Sequence, residues 1–264
     1  MIMVLAGTKD GRQVAAALEQ AGYTVLATAV TPYGEELLKQ SIKGEVLCGA
    51  LDKEQMCRLI EKEGVKMLVD ATHPFASEAS SNALEACAKI KIPYLRYERE
   101  GVRENYGKNV IPVQDLQGAI NAVKKISGNI FLTVGSSALP AFVRALGAKR
   151  IVARVLPTRK ALMLCEKLNL TPAQIVALQG PFSQAFNKEM FLHYRAGAVV
   201  SKESGREGGL PEKIAAAAEL DLPLVLIKRA PSLAGEEKVS SPEELLHRVK
   251  ALWPRTAPQA GRPP

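Results

Sequence analysis

Aromatic residues are scarce: they make up 5% of the chain, and Trp253 is the only tryptophan. A surface that stacks nucleic-acid bases draws on more rings than this. The four cysteines, Cys48, Cys57, Cys87 and Cys165, form no Cys-x-x-Cys pair and have no metal-ligand spacing, and His73, His193 and His247 are dispersed. The expectation is free, buried thiols in a reducing compartment and no metal site. No apolar run approaches the roughly 18 residues of a membrane span. The N-terminal apolar stretch, Met1 to Ala6, meets a glycine turn and has no signal-peptide pattern. A cytoplasmic protein with no membrane partner is expected.

What is present is apolar bulk and a basic balance. Hydrophobic residues reach 47% of the 264, enough for proper cores, and 35 Lys and Arg against 27 Asp and Glu give a net charge of +8. A basic excess attracts nucleic acid, phosphorylated cofactors or polycarboxylates. The cations are scattered, with only Lys124-Lys125, Lys149-Arg150, Arg159-Lys160 and Lys228-Arg229 paired. That pattern disfavours a basic arm and a nucleic-acid partner, and fits local anion sites.

Short continuous apolar runs alternate with amphipathic stretches along the whole chain. Ile2 to Ala6, Tyr23 to Val30, Glu45 to Cys48, Lys66 to Val69 and Ile92 to Arg96 read as strands, and Arg12 to Gln20, Asp52 to Lys62 and Phe75 to Ile90 as helices between them. This alternation predicts a parallel α/β sheet covered on both faces. An irregular stretch, Glu98 to Lys108, marks a boundary, and a second alternation runs from Val110 to Ile227. Three segments are expected: an N-terminal domain 1–98, a C-terminal domain 99–252 and a disordered tail 253–264 rich in Pro, Gly and Arg. One faint echo links the halves: Val113-Gln114-Asp115-Leu116 and Val239-Ser240-Ser241-Pro242-Glu243 both open helices.

The loops that follow strands carry the chemistry. Gly7-Thr8-Lys9-Asp10-Gly11-Arg12 joins the first strand to the first helix, where phosphates rest on backbone N–H groups in doubly wound sheets. Its spacing is Gly-x-x-x-Gly, less than a full dinucleotide fingerprint, and a plain turn explains it equally well. The second strand ends at Ala29-Val30-Thr31 without the acid that holds the ribose of NAD, so NADP(H) is favoured if a dinucleotide binds. Thr31 and Tyr33 can meet a 2′-phosphate. The fourth strand stops at Asp70-Ala71-Thr72-His73-Pro74-Phe75, more chemistry than a turn requires. An ornate helix start is the plain alternative, with Pro74 in its first turn. At the carboxyl edge of a sheet, His73 is also placed to donate a proton or to hydrogen-bond a cofactor.

Three loops of the second half match these. They are Gly135-Ser136-Ser137, Gln179-Gly180-Pro181-Phe182-Ser183, and the stretch from Lys202 through Ser204, Arg206, Gly208 and Gly209 to Lys213. Each follows a strand, so all three belong on one edge of the second sheet, and backbone N–H groups with lysine there suit anions. Two such edges facing each other make a cleft.

The fragments "LAGTKDGR", "DATHPFASEASSNA", "LTVGS", "ARVLPT", "LQGPFS" and "VSKESGREGGLPEKIAAAAELDLPLVLIKR" resemble the precorrin-6A reductase family of cobalamin biosynthesis, including its cobalt-precorrin-6A members, from Met1 to about Arg229. The resemblance implies an α/β protein of two Rossmann-like parallel-sheet domains with the active site in the cleft between them. It implies NADPH in the N-terminal domain and reduction of one macrocycle double bond. By resemblance Gly7, Thr8, Asp10, Gly11 and Arg12 form the pyrophosphate turn and Thr31 and Tyr33 meet the adenosine side. Thr72, His73, Pro74 and Phe75 then lie near the reactive end, with His73 the candidate catalytic acid. Gly135, Ser136, Ser137, Gln179, Gly180, Phe182, Ser183, Lys202, Ser204, Gly208, Gly209 and Lys213 meet the polycarboxylate tetrapyrrole. Transient contact with neighbouring pathway enzymes is compatible with such a role. The first turn departs from the family in reading Ala6-Gly7 where a glycine pair is usual.

Two other readings stay open at this level. A reductase of small ketones should carry a Tyr-x-x-x-Lys pair, which is absent. A two-lobed dinucleotide sensor would bind without oxidising, and NADPH consumption separates the two classes.

Overall fold

A computed structural model describes residues 1–99, 106–205, 208–229 and 234–253. In chain order the elements are β1 (Ile2–Leu5), α1 (Lys9–Gln20), β2 (Val25–Ala29), α2 (Pro32–Lys39), β3 (Glu45–Cys48), α3 (Lys53–Lys62), β4 (Met67–Asp70), α4 (Ser77–Ile90) and β5 (Tyr94–Tyr97). There follow β6 (Val110–Val113), α5 (Leu116–Lys124), β7 (Asn129–Thr133), α6 (Leu139–Leu146), β8 (Ile151–Val155), α7 (Arg159–Lys167), β9 (Ile175–Ala177) and α8 (Gln184–His193). The last are β10 (Ala196–Lys202), α9 (Leu210–Glu219), β11 (Leu224–Ile227), β12 (Lys238–Val239) and α10 (Pro242–Leu252).

The strands form two six-stranded, all-parallel sheets, ordered β3-β2-β1-β4-β5-β12 and β9-β8-β7-β10-β11-β6. Each has the 3-2-1-4-5-6 arrangement of doubly wound dinucleotide-binding sheets, with the order reversing beside the first strand. Alternate residues of β1 explain its unbroken apolar run: Ile2 and Val4 face a core with α1 and α10, while Met3 and Leu5 face a core with α3 and α4. In the second unit Phe131 of β7 meets Phe191 of α8 edge to face, with ring centres 5.2 Å apart.

The sixth strand of the first sheet comes from the far end of the chain, whereas that of the second sheet opens its own unit. β6 follows β5 in sequence yet pairs with β11, and β12 follows β11 yet pairs with β5. The expected boundaries are therefore corrected. Described residues up to 99 and from 234 to 253 form one unit, and those from 106 to 229 form the other. Burial holds the returning segment in place. Val239, Leu245 and Val249 are buried in the core of the first unit, and Trp253, expected in a disordered tail, packs on Tyr23. The remaining tail residues lie outside the described residues. The sequence echo has a structural basis, since both segments are the sixth strand and following helix of their sheets. Asp115 caps α5 by accepting from Gly118 N at 2.7 Å, and Ser241 caps α10 by accepting from Glu244 N at 3.1 Å.

Among the described residues, no helix is long and apolar enough to cross a membrane. Cys57, Cys87 and Cys165 are buried free thiols, while Cys48 is exposed.

Candidate functional site

All strands of the first sheet point the same way, so the loops after β1, β2, β3 and β4 share one edge. A cavity of about 540 Å³ lies there. Its walls are Ala6, Gly7 and Thr8 after β1, Val30 and Thr31 after β2, Gly49 to Asp52 after β3, and Thr72 and His73 after β4, with Ala76 and Ala79 at the start of α4. The cavity thus covers the point where strand order reverses, the ligand position of doubly wound sheets.

Two glycines shape the first turn for different reasons. A Cβ on Gly11 would sit 2.5 Å from Ala6 Cα, so Gly11 lets α1 close onto the end of β1. A Cβ on Gly7 would meet nothing within 4 Å, so its lack of a side chain keeps open the space beside the helix start. Thr8 caps α1 by accepting from Gly11 N at 2.9 Å and donates its hydroxyl to Ala71 O at 3.0 Å, tying this turn to the loop after β4. Open space over a glycine next to the N-terminus of α1 fits a phosphate of a dinucleotide.

The loop after β4 is held from below. Asp70 is fully buried and accepts from Thr72 N at 2.9 Å, from the Tyr94 hydroxyl at 2.8 Å and from Arg96 Nη1 at 2.7 Å. Burial, then the charge of Asp70, pushes the Tyr94 phenol well above its ordinary pKa. Arg96 also donates to Thr72 Oγ1 at 2.9 Å and Thr72 O at 3.1 Å. Beyond this anchor, His73 Nδ1 accepts from Phe75 N at 3.2 Å, which leaves the ring proton of a neutral His73 on Nε2. The expected helix start is corrected: α4 begins at Ser77, and Pro74 lies in the turn before it. Residues 74–75 form that turn, which Ala76 N closes by donating to His73 O at 2.8 Å.

The second sheet concentrates cations at its carboxyl edge. Arg154, on β8, lies with its guanidinium carbon 5.0 Å from the centre of the Phe182 ring and donates to Asn187 Oδ1 at 2.8 Å. Lys213, in the first turns of α9, is 5% exposed, and among the described residues neither it nor Arg154 has a carboxylate in ion-pair reach. Burial, then the charge of Arg154, lowers the Lys213 pKa to about 7, and burial lowers that of Arg154 to about 10. Burial also lowers that of Lys202. Ser204 Oγ is buried without a hydrogen-bond partner among the described residues, and Gly208 packs against it so closely that a Cβ would fall 2.2 Å from that oxygen. Gly209, at φ 64°, starts α9 with no side-chain cap. Ser183 is engaged otherwise, capping α8 through Phe186 N at 3.2 Å. Glu203 is the counterpart of Asp70: buried, it accepts from the Tyr106 hydroxyl and from Arg229 N at 3.0 Å.

Of the residues assigned to the cofactor by sequence, Gly7, Thr8, Thr31, Thr72 and His73 line the cavity, whereas Asp10, Gly11, Arg12, Tyr33, Pro74 and Phe75 do not. Asp10 pairs with Arg99 at 2.9 Å. In the second unit Phe182 lies under Arg154, whose charge also reaches Lys213; Gly209 lies beside Phe182 and Gly208 against Ser204, while Gly135, Ser136 and Ser137 follow the neighbouring strand β7. Gln179 and Gly180 are exposed at the end of β9, and Arg206 lies outside the described residues. Sequence reasoning missed Arg154, Arg96 and Asn187. A lone charge inside a continuous apolar strand, as in Ile151-Val152-Ala153-Arg154-Val155, was the signal available for the two arginines.

Comparisons with known proteins agree with this architecture. Residues 1–250 match the family described as precorrin-6x reductase CbiJ/CobK. The chain is 39% identical over 251 residues to a cobalt-precorrin-6A reductase of Priestia megaterium, covering 94% of this chain and 97% of the relative. It is 36% identical over 253 residues to one of Methanothermobacter thermautotrophicus, covering 94% and 83%. A solved structure of CobK precorrin-6A reductase superposes with a TM-score of 0.75 at 24% identity over 95% of this chain and 96% of that one, which establishes a common fold. With the family match running through both sheets and the returning strand, the chain belongs to the precorrin-6x reductase CbiJ/CobK family.

Proposed function

We propose that this chain reduces one carbon–carbon double bond of precorrin-6A, or of its cobalt-loaded form, to the 6B form in cobalamin biosynthesis, with NADPH as reductant. The reading rests on family membership, and the observation that carries it physically is the cavity over the reversal point of the first sheet, opened beside Gly7.

A reduced nicotinamide supplies the two electrons and one hydrogen of the reduction. The chain's own work is to bind, orient and exclude water. Gly7 and the N-terminus of α1 would take the pyrophosphate. The absence of an acid in Ala29-Val30-Thr31 favours the 2′-phosphorylated cofactor. His73, protonated on Nε2, acts on this reading as a hydrogen-bond donor towards the cofactor rather than as an acid, and solvent or a substrate arm delivers the proton.

Arg154, Lys213 and Lys202 would receive carboxylate arms of the macrocycle. A buried ammonium beside a half-buried guanidinium, with no carboxylate in ion-pair reach among the described residues, destabilises an empty site, and a bound carboxylate offsets that cost. The Phe182 ring would add an apolar surface beside them.

The test is anaerobic spectroscopic turnover of metal-free and cobalt-loaded precursor side by side, each with NADPH and with NADH. The expected result is one nucleotide oxidised per macrocycle reduced, with NADPH preferred. Binding of nucleotide and macrocycle without oxidation would replace the reductase with a sensor.

A further inference from the structure

Asp70 ends β4 with a carboxylate that is 0% exposed, and Arg96 beside it is 3% exposed. A buried ion pair is a poor way to hold a strand end, because desolvation offsets most of its attraction and apolar residues pack there at no such cost. The contacts show what the pair does instead. Thr72 N donates to Asp70, Thr72 O accepts from Arg96 Nη2, and Thr72 Oγ1 accepts from Arg96 Nη1. Backbone donor, backbone acceptor and side-chain hydroxyl of this one residue are therefore all fixed by the same pair. Thr72 precedes His73, and both line the cavity.

Arg96 is itself fixed from the far side. Glu98 lies 3.7 Å and Glu236 3.9 Å from its Nε, and Arg96 N donates to Glu237 O at 2.8 Å, so the returning segment before β12 completes its surroundings. From this geometry we infer that Asp70 and Arg96 are positioning residues: they fix the Thr72–His73 segment and thereby set where His73 stands against a ligand in the cavity. That the ligand is a dinucleotide rests on the function proposed above.

Two mild variants test this. Arg96→Lys keeps the charge beside Asp70 but loses the planar fork that reaches both Thr72 oxygens. Thr72→Val keeps the pair and removes the hydroxyl. The first readout is the imidazole 15N spectrum of the ligand-free protein, resolvable because the chain has three histidines. The second is calorimetric titration with NADP+. Both variants are expected to keep the far-ultraviolet circular dichroism of the unaltered chain. Both should lose the signature of a His73 ring accepting at Nδ1 and weaken NADP+ about tenfold or more, and Thr72→Ser should restore both readouts.

Unchanged His73 resonances in both folded variants would overturn the inference and leave the pair as a strand-end staple. Failure of the unaltered chain to bind NADP+ would remove the dinucleotide reading instead. The two failures are distinguishable because the imidazole spectrum needs no ligand; loss of the signature in both variants would still support the positioning role.

Discussion

Arg154 and Lys213 stand close enough in the second unit for the charge of one to disfavour that of the other, and neither has a carboxylate in ion-pair reach among the described residues. Arg154 is held by Asn187 and lies over Phe182; Lys213 is buried at the start of α9. A fold does not retain two such cations for stability.

Lys213→Met should therefore leave the chain as stable as before or more so at neutral pH, because an apolar side chain of similar length replaces a buried amine whose charged form is disfavoured. The same change should raise KM for the macrocycle about tenfold or more and leave KM for NADPH unaltered. Urea unfolding with steady-state kinetics checks both halves. Lower stability together with unchanged KM would assign Lys213 a structural role.

The pH dependence follows from the same residue. Lys213 has an ordinary pKa of 10.5, lowered to about 7 in the fold. Between these values the unfolded chain holds a proton that the folded chain has released, so stability rises with pH. The penalty is fully present below pH 7 and relieved progressively above it. An opposing slope begins near pH 9, since burial raises the Cys87 thiol from 9.0 to about 12 and the folded chain there holds a proton that the unfolded one releases. The N-terminal amine, lowered from 8.0 chiefly by burial, adds a rise that ends near pH 8. Urea-unfolding free energy should climb from pH 7 to 9, and Lys213→Met should flatten most of that climb.

The two glycines of the first turn should separate packing from binding. Gly11→Ala places a methyl against the Ala6 backbone, and overpacking of this kind costs about 1–3 kcal/mol. Gly7→Ala meets no protein atom, so its melting temperature should stay put while NADP+ affinity falls, because the methyl enters the ligand's space. Thermal melts and calorimetry on the two variants give the comparison. Equal loss of stability in both would refute the open-space account of Gly7.

The returning segment should behave as core of the first unit. Leu245 is fully buried there, and Leu245→Ala should cost about 2–5 kcal/mol. Hydrogen exchange should then accelerate at amides of β5, whose edge β12 covers through Arg96 and Tyr97, before it accelerates in β6 to β11. Faster exchange confined to β6–β11 would contradict the strand pairing.

The alternation of strands and helices was legible because strands covered on both faces must be apolar throughout, while helices need one apolar face. Thr8, Gly11, Thr31, His73 and Lys213 stood out because turns, caps and sheet edges demand particular residue types at particular places. Asp10 and Arg12 were less legible as site residues: the turn motif fixes their order along the chain, but not which way their side chains leave the helix. Asp10 pairs with Arg99, and neither lines the cavity.

The sequence by itself determined two runs of parallel α/β architecture and a family whose motifs span both, because local periodicity and turn chemistry act within a few residues. Only the tertiary structure decided that β12 returns to the first sheet, since an edge strand's residues state that it must pair but not with which neighbour. Likewise only the fold showed that Asp70 meets Arg96 and that the charge of Arg154 bears on Lys213. Those encounters join charges far apart in the chain, and burial, which gives them their force, exists only once the sheets have formed.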